Sequence, residues 1–271
     1  MESLPIIAAF YEQVDVFMLV LVRVLAFFIF LPIISGMSIP MVARLAVAVV
    51  VGAAIFSSGF VTEAIYTPTL PGFMMTVLME FMAGVMMGFV LFFVFNILLF
   101  VGHILDFAMG LAMVNMVDPM LQIQVPIVGN LFFMAMMAML VATGGLINFI
   151  EAFIVSFSVI PIGAAWILGN DSIAVFMVWQ MASFFVIAVQ IALPIAGALT
   201  VINIALGIMV KAAPQMNIFV IGIPVRIFVG FILLATTMIE PLYGIYRRLF
   251  GEALYALEQV IWGIVPIYVY Y

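Results

Sequence analysis

Long runs without a single Asp, Glu, Lys or Arg dominate this chain: 24–43, 45–62, 81–105, 119–150, 172–210 and 227–239. About 20 consecutive apolar residues cross a hydrocarbon core as a helix, so these runs are candidate spans. Hydrophobic residues make up 69% of the sequence and charged residues 7%, and the mean hydropathy is +1.49. Soluble domains carry about 25% charge. The chain therefore reads as an integral membrane protein with no separate soluble domain. Barrel strands alternate apolar and polar residues; these runs do not, so the spans are helices.

The runs and their Gly and Pro punctuation predict helices near 14–34, 42–60, 73–101, 126–148, 173–193, 195–210 and 217–239. The run 172–210 is too long for one helix, and a break is expected near Pro194 and Gly197. A further helix over 149–165 would end at Pro161 and Gly163, and Gly144-Gly145 reads as a helix bend. The positive-inside rule gives a contradictory orientation. Lys211 and Arg247 fall on opposite sides of the membrane, whether 172–210 counts as one span or two.

Several functions are excluded at this level. Glu2, Glu12 and Asp15 precede the first base, Arg23, which argues against a cleaved signal. Cysteine is absent, removing thiol chemistry and cysteine-ligated metals. Six bases against twelve acids leave no basic patch for nucleic acid. No HExxH, GxSxG or phosphate-binding loop occurs. The expectation is a protein that is not an enzyme and holds no cofactor and no metal.

The segment 102–130 is the exception to the apolar pattern. It carries Asp106, Asp118, two glutamines, Asn115, three glycines and two prolines between lipid-compatible runs. Such polarity is tolerated at membrane depth only where protein or a water-filled cavity surrounds it. Met109, Met113, Met116 and Met120 recur there at helical spacing, as Met75, Met79, Met82 and Met86 do in the preceding helix. Flexible thioether side chains fill irregular gaps. Core filling suits the first stripe, whereas a deformable lining that seals and yields is the sharper reading of the second.

Gly84 and Gly88 form a GxxxG pair that permits close approach by another helix. Arg23, Arg226, Glu80, Asp106 and Glu151 lie within or against apolar runs. They form either an ion path or structural salt bridges; no two acids recur at a relay spacing, which favours the structural reading. His103 reads as a polar tether. From 242 to 264 an amphipathic helix, apolar at Tyr246, Leu249, Ala253, Leu257, Val260 and Ile261, is expected to meet an interface or a partner.

Certain motifs in order along the chain carry a resemblance. They are Arg23-Val-Leu-Ala-Phe-Phe-Ile-Phe-Leu-Pro32 with Pro40-Met-Val-Ala-Arg44, then Gly102-His-Ile-Leu-Asp106, Gly110 and Asp118-Pro119. Pro126-Ile-Val-Gly129-Asn130, Pro161-Ile-Gly163 and Ala213-Pro214-Gln215-Met216-Asn217 with Gly222 and Pro224 follow. Together these resemble the flagellar biosynthesis protein R family (FliR, with the injectisome counterpart SctT). The resemblance implies an all-α polytopic membrane protein of kinked helices and hairpins. It would be a single membrane domain over 1–271, with a P-like portion over 1–190 and a Q-like hairpin with the C-terminal helix over 191–271. It further implies a helical hetero-oligomer with P and Q subunits beside B and A components, in the flagellar export gate of the bacterial inner membrane. A pore plug would comprise Gly110, Leu111, Ala112, Met113, Val114, Asn115, Met116 and Val117, with Asp106, Asp118 and Pro119 as its anchors. Gly84, Gly88, Pro214, Gln215, Met216 and Asn217 would serve packing and assembly, and the cargo would be unfolded flagellar proteins. The alternative is a proton- or ion-coupled secondary transporter or channel using Asp106 or Glu151.

Overall fold

The computed structural model describes residues 3–31, 39–61, 64–65, 67, 69–112, 126–163, 171–212 and 218–262, with the backbone alone at 3–12, 171–174, 218–219 and 237–242. Its helices are α1 (Ser3–Phe30), α2 (Met41–Ser57), α3 (Leu70–Met109), α4 (Ile127–Ala142), α5 (Gly145–Val159), α6 (Asp171–Ala212) and α7 (Ile218–Trp262). Among the described residues the β-structure is a single parallel bridge, Ala64 to Ile162. Stretches Gln13–Phe30, Leu70–Met109 and Val175–Ala212 are long and apolar enough to cross a membrane, and α4 with α5 passes only as a broken pair. The expected all-α polytopic membrane architecture is what the chain adopts.

Four helices run further than the sequence predicts, beginning with α1, which starts at Ser3 rather than near 14. Helix α6 is continuous through Pro194 for 42 residues, so the expected break near Pro194 and Gly197 does not occur. In apolar surroundings an interrupted helix strands several unpaired backbone groups, whereas an internal proline removes one bond and bends the axis. Helix α3 continues past 101 and takes in Gly102, His103 and Asp106. Helix α7 fuses the expected 217–239 and 242–264 helices into one of 45 residues. Conversely, the helix expected to reach 148 stops at Ala142, and Gly144 sits at φ +70° before α5 begins. That left-handed position favours glycine.

The chain divides into two compact units, one of residues 1–93, 144–180 and 252–271, the other of 94–143 and 181–251. In the first unit α1 and α2 form an antiparallel-type contact at Gly52, where a methyl would meet Leu21 Cδ2 at 2.8 Å, with Phe17 edge-on to Phe56 at 5.7 Å. The GxxxG pair packs within the chain. A methyl on Gly84 would strike the Arg23 carbonyl and the Ala26 Cβ, and one on Gly88 would meet the Phe27 carbonyl oxygen at 2.7 Å. Phe27 stacks on Phe153 at 4.1 Å, and Phe153 meets Phe157 edge-on at 5.5 Å. The first methionine stripe departs from the core-filling reading. Met79 is buried, but Met75 and Met82 are 45% and 42% exposed, because the α1-facing side of α3 is the glycine side.

In the second unit α3 and α4 meet backbone to backbone. A methyl on Gly102 would overlap the Gly129 Cα and N, and one on Gly129 would meet the Leu99 carbonyl oxygen at 3.0 Å. Phe95 packs edge-on to Phe133, and Phe100 to Phe185. The C-terminal helix also differs from expectation. Tyr246 and Leu249 in this unit, and Ala253, Leu257, Val260 and Ile261 in the first, are buried within this chain rather than exposed for a partner.

Candidate functional site

Two clusters of buried polar side chains in this apolar chain meet helix ends. A helix terminus carries unpaired backbone groups and a partial charge, and at membrane depth water cannot satisfy them. Side chains must do so instead.

The first cluster is centred on Arg23, which is fully buried in α1. Its Nε donates to Glu80 Oε2 of α3 at 2.5 Å. Its terminal nitrogens donate to the Ser156 carbonyl at 3.4 Å and the Ile160 carbonyl at 3.2 Å, at the C-terminal end of α5. The guanidinium carbon lies 4.4 Å from the centre of the Phe157 ring. The second carboxylate oxygen of Glu80 accepts from the Gly163 backbone N–H at 2.8 Å. Gly163 holds φ +81°, and a methyl there would clash with the Ile65 carbonyl. The adjacent Ile162 carbonyl accepts from Ile65 N–H at 2.7 Å. One cation and one anion thus tie α1, α3, the end of α5 and two loops. The expectation of structural pairing holds for these two residues.

The second cluster lies at the C-terminal end of α3. Asp106 is 4% exposed, and its Oδ1 accepts from the Val128 backbone N–H at 3.1 Å. Pro126, at the N-cap of α4, supplies no side-chain cap, so an aspartate one helix away caps that end. A carboxylate is the favourable charge at a helix N-terminus. One turn before it, Gly102 lets α3 and α4 touch. Its role here is close approach within a helix rather than the backbone freedom that a loop glycine would give. Three residues past Asp106, Met109 is fully buried and packs where Gly230 of α7 leaves room, since a methyl on Gly230 would meet Met109 Cε at 2.6 Å. Gly110 then turns out of the helix at φ +83°.

Of the remaining sequence candidates, Leu111 is buried and Ala112 half-buried. Met113, Val114, Asn115, Met116, Val117, Asp118 and Pro119 lie outside the described residues, as do Pro214, Gln215, Met216 and Asn217. His103 and Glu151 are exposed. Sequence reasoning missed the far side of each contact: Gly129 opposite Gly102, Gly230 opposite Met109, and the hydroxyl pair of Thr143, at the C-terminal end of α4, with Tyr246. Their only local signal was a glycine or hydroxyl in an apolar run, which does not identify a partner far along the chain.

Spanning helices, with buried charges that meet the termini of α4 and α5, define a polytopic membrane protein. Residues 14–253 match the family model described as bacterial export proteins, family 1, and the chain belongs to that family. It is similar to flagellar biosynthetic protein FliR of Bacillus subtilis (strain 168), at 25% identity over 90% of this chain and 94% of that protein. It is also similar to flagellar biosynthetic protein FliR of Escherichia coli (strain K12), at 29% identity over 89% and 90%. Surface presentation of antigens protein SpaR of Shigella flexneri is 24% identical over 85% of this chain and 91% of its own length.

Proposed function

We propose that this chain is the R-type subunit of a flagellar type III protein export gate. It would form, with P and Q subunits and beside B and A components, a gated pore for unfolded flagellar proteins in the bacterial inner membrane at the basal body. The observation that carries this reading is similarity along nearly the full length to flagellar and surface-presentation relatives alike. On this reading residues 1–190 are the P-like portion, 191–271 the Q-like hairpin, and Pro214–Asn217 an assembly segment.

The gate itself would be the plug Gly110–Val117, held by Asp106 on one side and Asp118-Pro119 on the other. What supports a plug there is its frame. A seal must be displaced by an unfolded chain and must return to the same place, so its ends have to be fixed while its middle yields. Gly102 against Gly129 and Asp106 on the α4 terminus fix the start of the segment. Methionines at 113 and 116 supply apolar, deformable side chains that exclude water yet rearrange around different substrates. The protein conducts and catalyses nothing on this account; energy comes from partner components and the proton gradient.

The transporter alternative assigns ion coupling to Asp106 or Glu151. Asp106 is engaged as a helix cap, and Glu151 lies on an exposed face. Affinity purification of the full chain from its native membrane separates the readings. The gate reading expects P and Q subunits in fixed stoichiometry; a monomer or homo-oligomer with small-molecule flux contradicts it. The seal is tested by Met113→Gln with Met116→Gln. Polar side chains stabilise water in the constriction, so ion leak rises about tenfold or more while the complex still assembles. An assembled double variant with unchanged leak would leave the chain a scaffold only.

A further inference from the structure

A groove of about 490 Å³ runs along α4, lined by Phe133, Met134, Met137, Ala138, Val141 and Ala142. That volume lies in the range that holds a small ligand. All six residues are apolar, and Met134 and Val141 are 68% and 62% exposed. Phe133 packs edge-on against Phe95 of α3 at 5.7 Å. From 133 to 142 the helix rises roughly 14 Å. One leaflet of a bilayer holds roughly 15 Å of hydrocarbon. The groove is therefore as long as one leaflet is deep.

Polarity begins where the groove ends. Thr143 follows Ala142, and its hydroxyl donates to the Met139 carbonyl at 2.8 Å. It accepts in turn from the Tyr246 hydroxyl of α7. The next two residues of α7, Arg247 and Arg248, are both exposed. Arg248 Nη1 donates to Gln190 Oε1 of α6 at 3.1 Å, and Gln190 stands in the charge-free run 172–210. That bond leaves most of the guanidinium N–H groups available. Among the described residues no carboxylate lies within 4.0 Å of either arginine. Tyr243, one turn before Arg247, is exposed as well. Aromatic and basic side chains together mark the headgroup level of a membrane. Groove, hydroxyl pair and arginines all belong to the second compact unit.

We propose that the α4 groove and the Arg247–Arg248 pair form a binding site for an anionic phospholipid. One acyl chain lies along α4 and the headgroup phosphate meets the arginines, whose planar donors match phosphate oxygens. The bond between Tyr246 and Thr143 holds the charged end of α7 beside the mouth of the groove. Gln190 is a positioning residue that orients Arg248. An apolar partner helix would fill the groove and leave both arginines without an anion, whereas an anionic lipid satisfies both. The site is independent of the gate reading.

The test uses the full chain, with whatever subunits copurify, in phosphatidylcholine vesicles. Phosphatidylglycerol and phosphatidylcholine probes, each with a diazirine on an acyl chain, are added in turn, and peptide mass spectrometry reads the labelling of 127–143. Each basic residue at a membrane surface favours an anionic lipid by roughly fivefold. The phosphatidylglycerol probe is therefore expected to label 127–143 at least about tenfold more than the phosphatidylcholine probe. Arg247→Gln with Arg248→Gln should bring the ratio to within about twofold of unity, and Arg247→Lys with Arg248→Lys should keep about half of the original ratio or more. High salt should lower the ratio in the unaltered chain, which reads the charge without any substitution. Ala138→Phe fills the groove and should reduce labelling of 127–143 by both probes. A ratio near unity in the unaltered chain, or one that survives loss of both arginines, overturns the headgroup contact and the proposal with it. Absence of label on 127–143 means that another polypeptide covers the groove, and overturns it equally. Displacement of the lipid probe by inorganic phosphate would leave a simple anion site and overturn the lipid.

Discussion

Glu80→Ala is expected to be the most damaging single substitution in this chain. It removes the carboxylate that Arg23 meets at 2.5 Å and strands a guanidinium with no exposed surface. Breaking a buried ion pair from one side costs about 3–5 kcal/mol, because the remaining charge stays desolvated. It also frees the Gly163 N–H, which donates to Glu80 Oε1. Thermal unfolding of the solubilised full-length chain reads the loss directly. Glu80→Gln keeps an acceptor oxygen and the shape of the side chain, so its penalty is smaller. Removing both partners as Arg23→Met with Glu80→Leu should recover much of what Glu80→Ala loses, since hydrophobic replacement of a buried pair is often neutral. If the single and double variants unfold at the same temperature, the two residues are not coupled and the cluster does not tie the helices together.

The second large effect is expected at Gly102. Even a methyl there overlaps the Gly129 backbone, and neither backbone can give way as a flexible side chain could. Helices α3 and α4 must separate, and the bond from Val128 N–H to Asp106 is stretched with them. Overpacking of this kind costs about 1–3 kcal/mol. Glycine-to-alanine exchange within a helix otherwise gains roughly 0.5–1 kcal/mol, so the sign at Gly102 is reversed by contact alone. Gly207 of α6 is the control, since among the described residues nothing lies within 4 Å of a methyl built on it. Unfolding measurements should find Gly102→Ala destabilised and Gly207→Ala unchanged or stabilised. Equal tolerance at both positions would contradict the backbone contact.

Much of the fold is written in the sequence as apolar length. The spans are legible because lipid demands uninterrupted apolar helices, and the turn at Gly144 is legible because glycine tolerates a left-handed backbone. Helix continuity is harder to read. Pro194 looks like a break by local rules, and the helix persists through it because the apolar surroundings penalise unpaired backbone more than a bend. Asp106 and Gly102 read as an interruption because their residue types are unusual in a span. In the fold they stand on a regular helix, and the polarity answers a helix terminus and a close contact on α4. The pairing of Arg23 with Glu80 follows the same pattern. The need for a counter-charge is readable in each residue, but the choice of partner 57 positions away depends on how α1 and α3 pack. The glycine pair at 84 and 88 could be read as a packing surface, and only the fold names α1 as its occupant.

On the proposed reading, a segment held at its start and yielding in its middle would both seal and move. Asp106 and the Gly102 contact would hold its start, and Met113 and Met116 would form the proposed yielding middle. The most direct measurement is the ion conductance of membranes carrying the assembled gate with Gly110–Val117 deleted, recorded alongside secretion. The account predicts a complete complex with a large standing leak, at least about tenfold above the intact gate. A complete complex as tight as the intact one would contradict it.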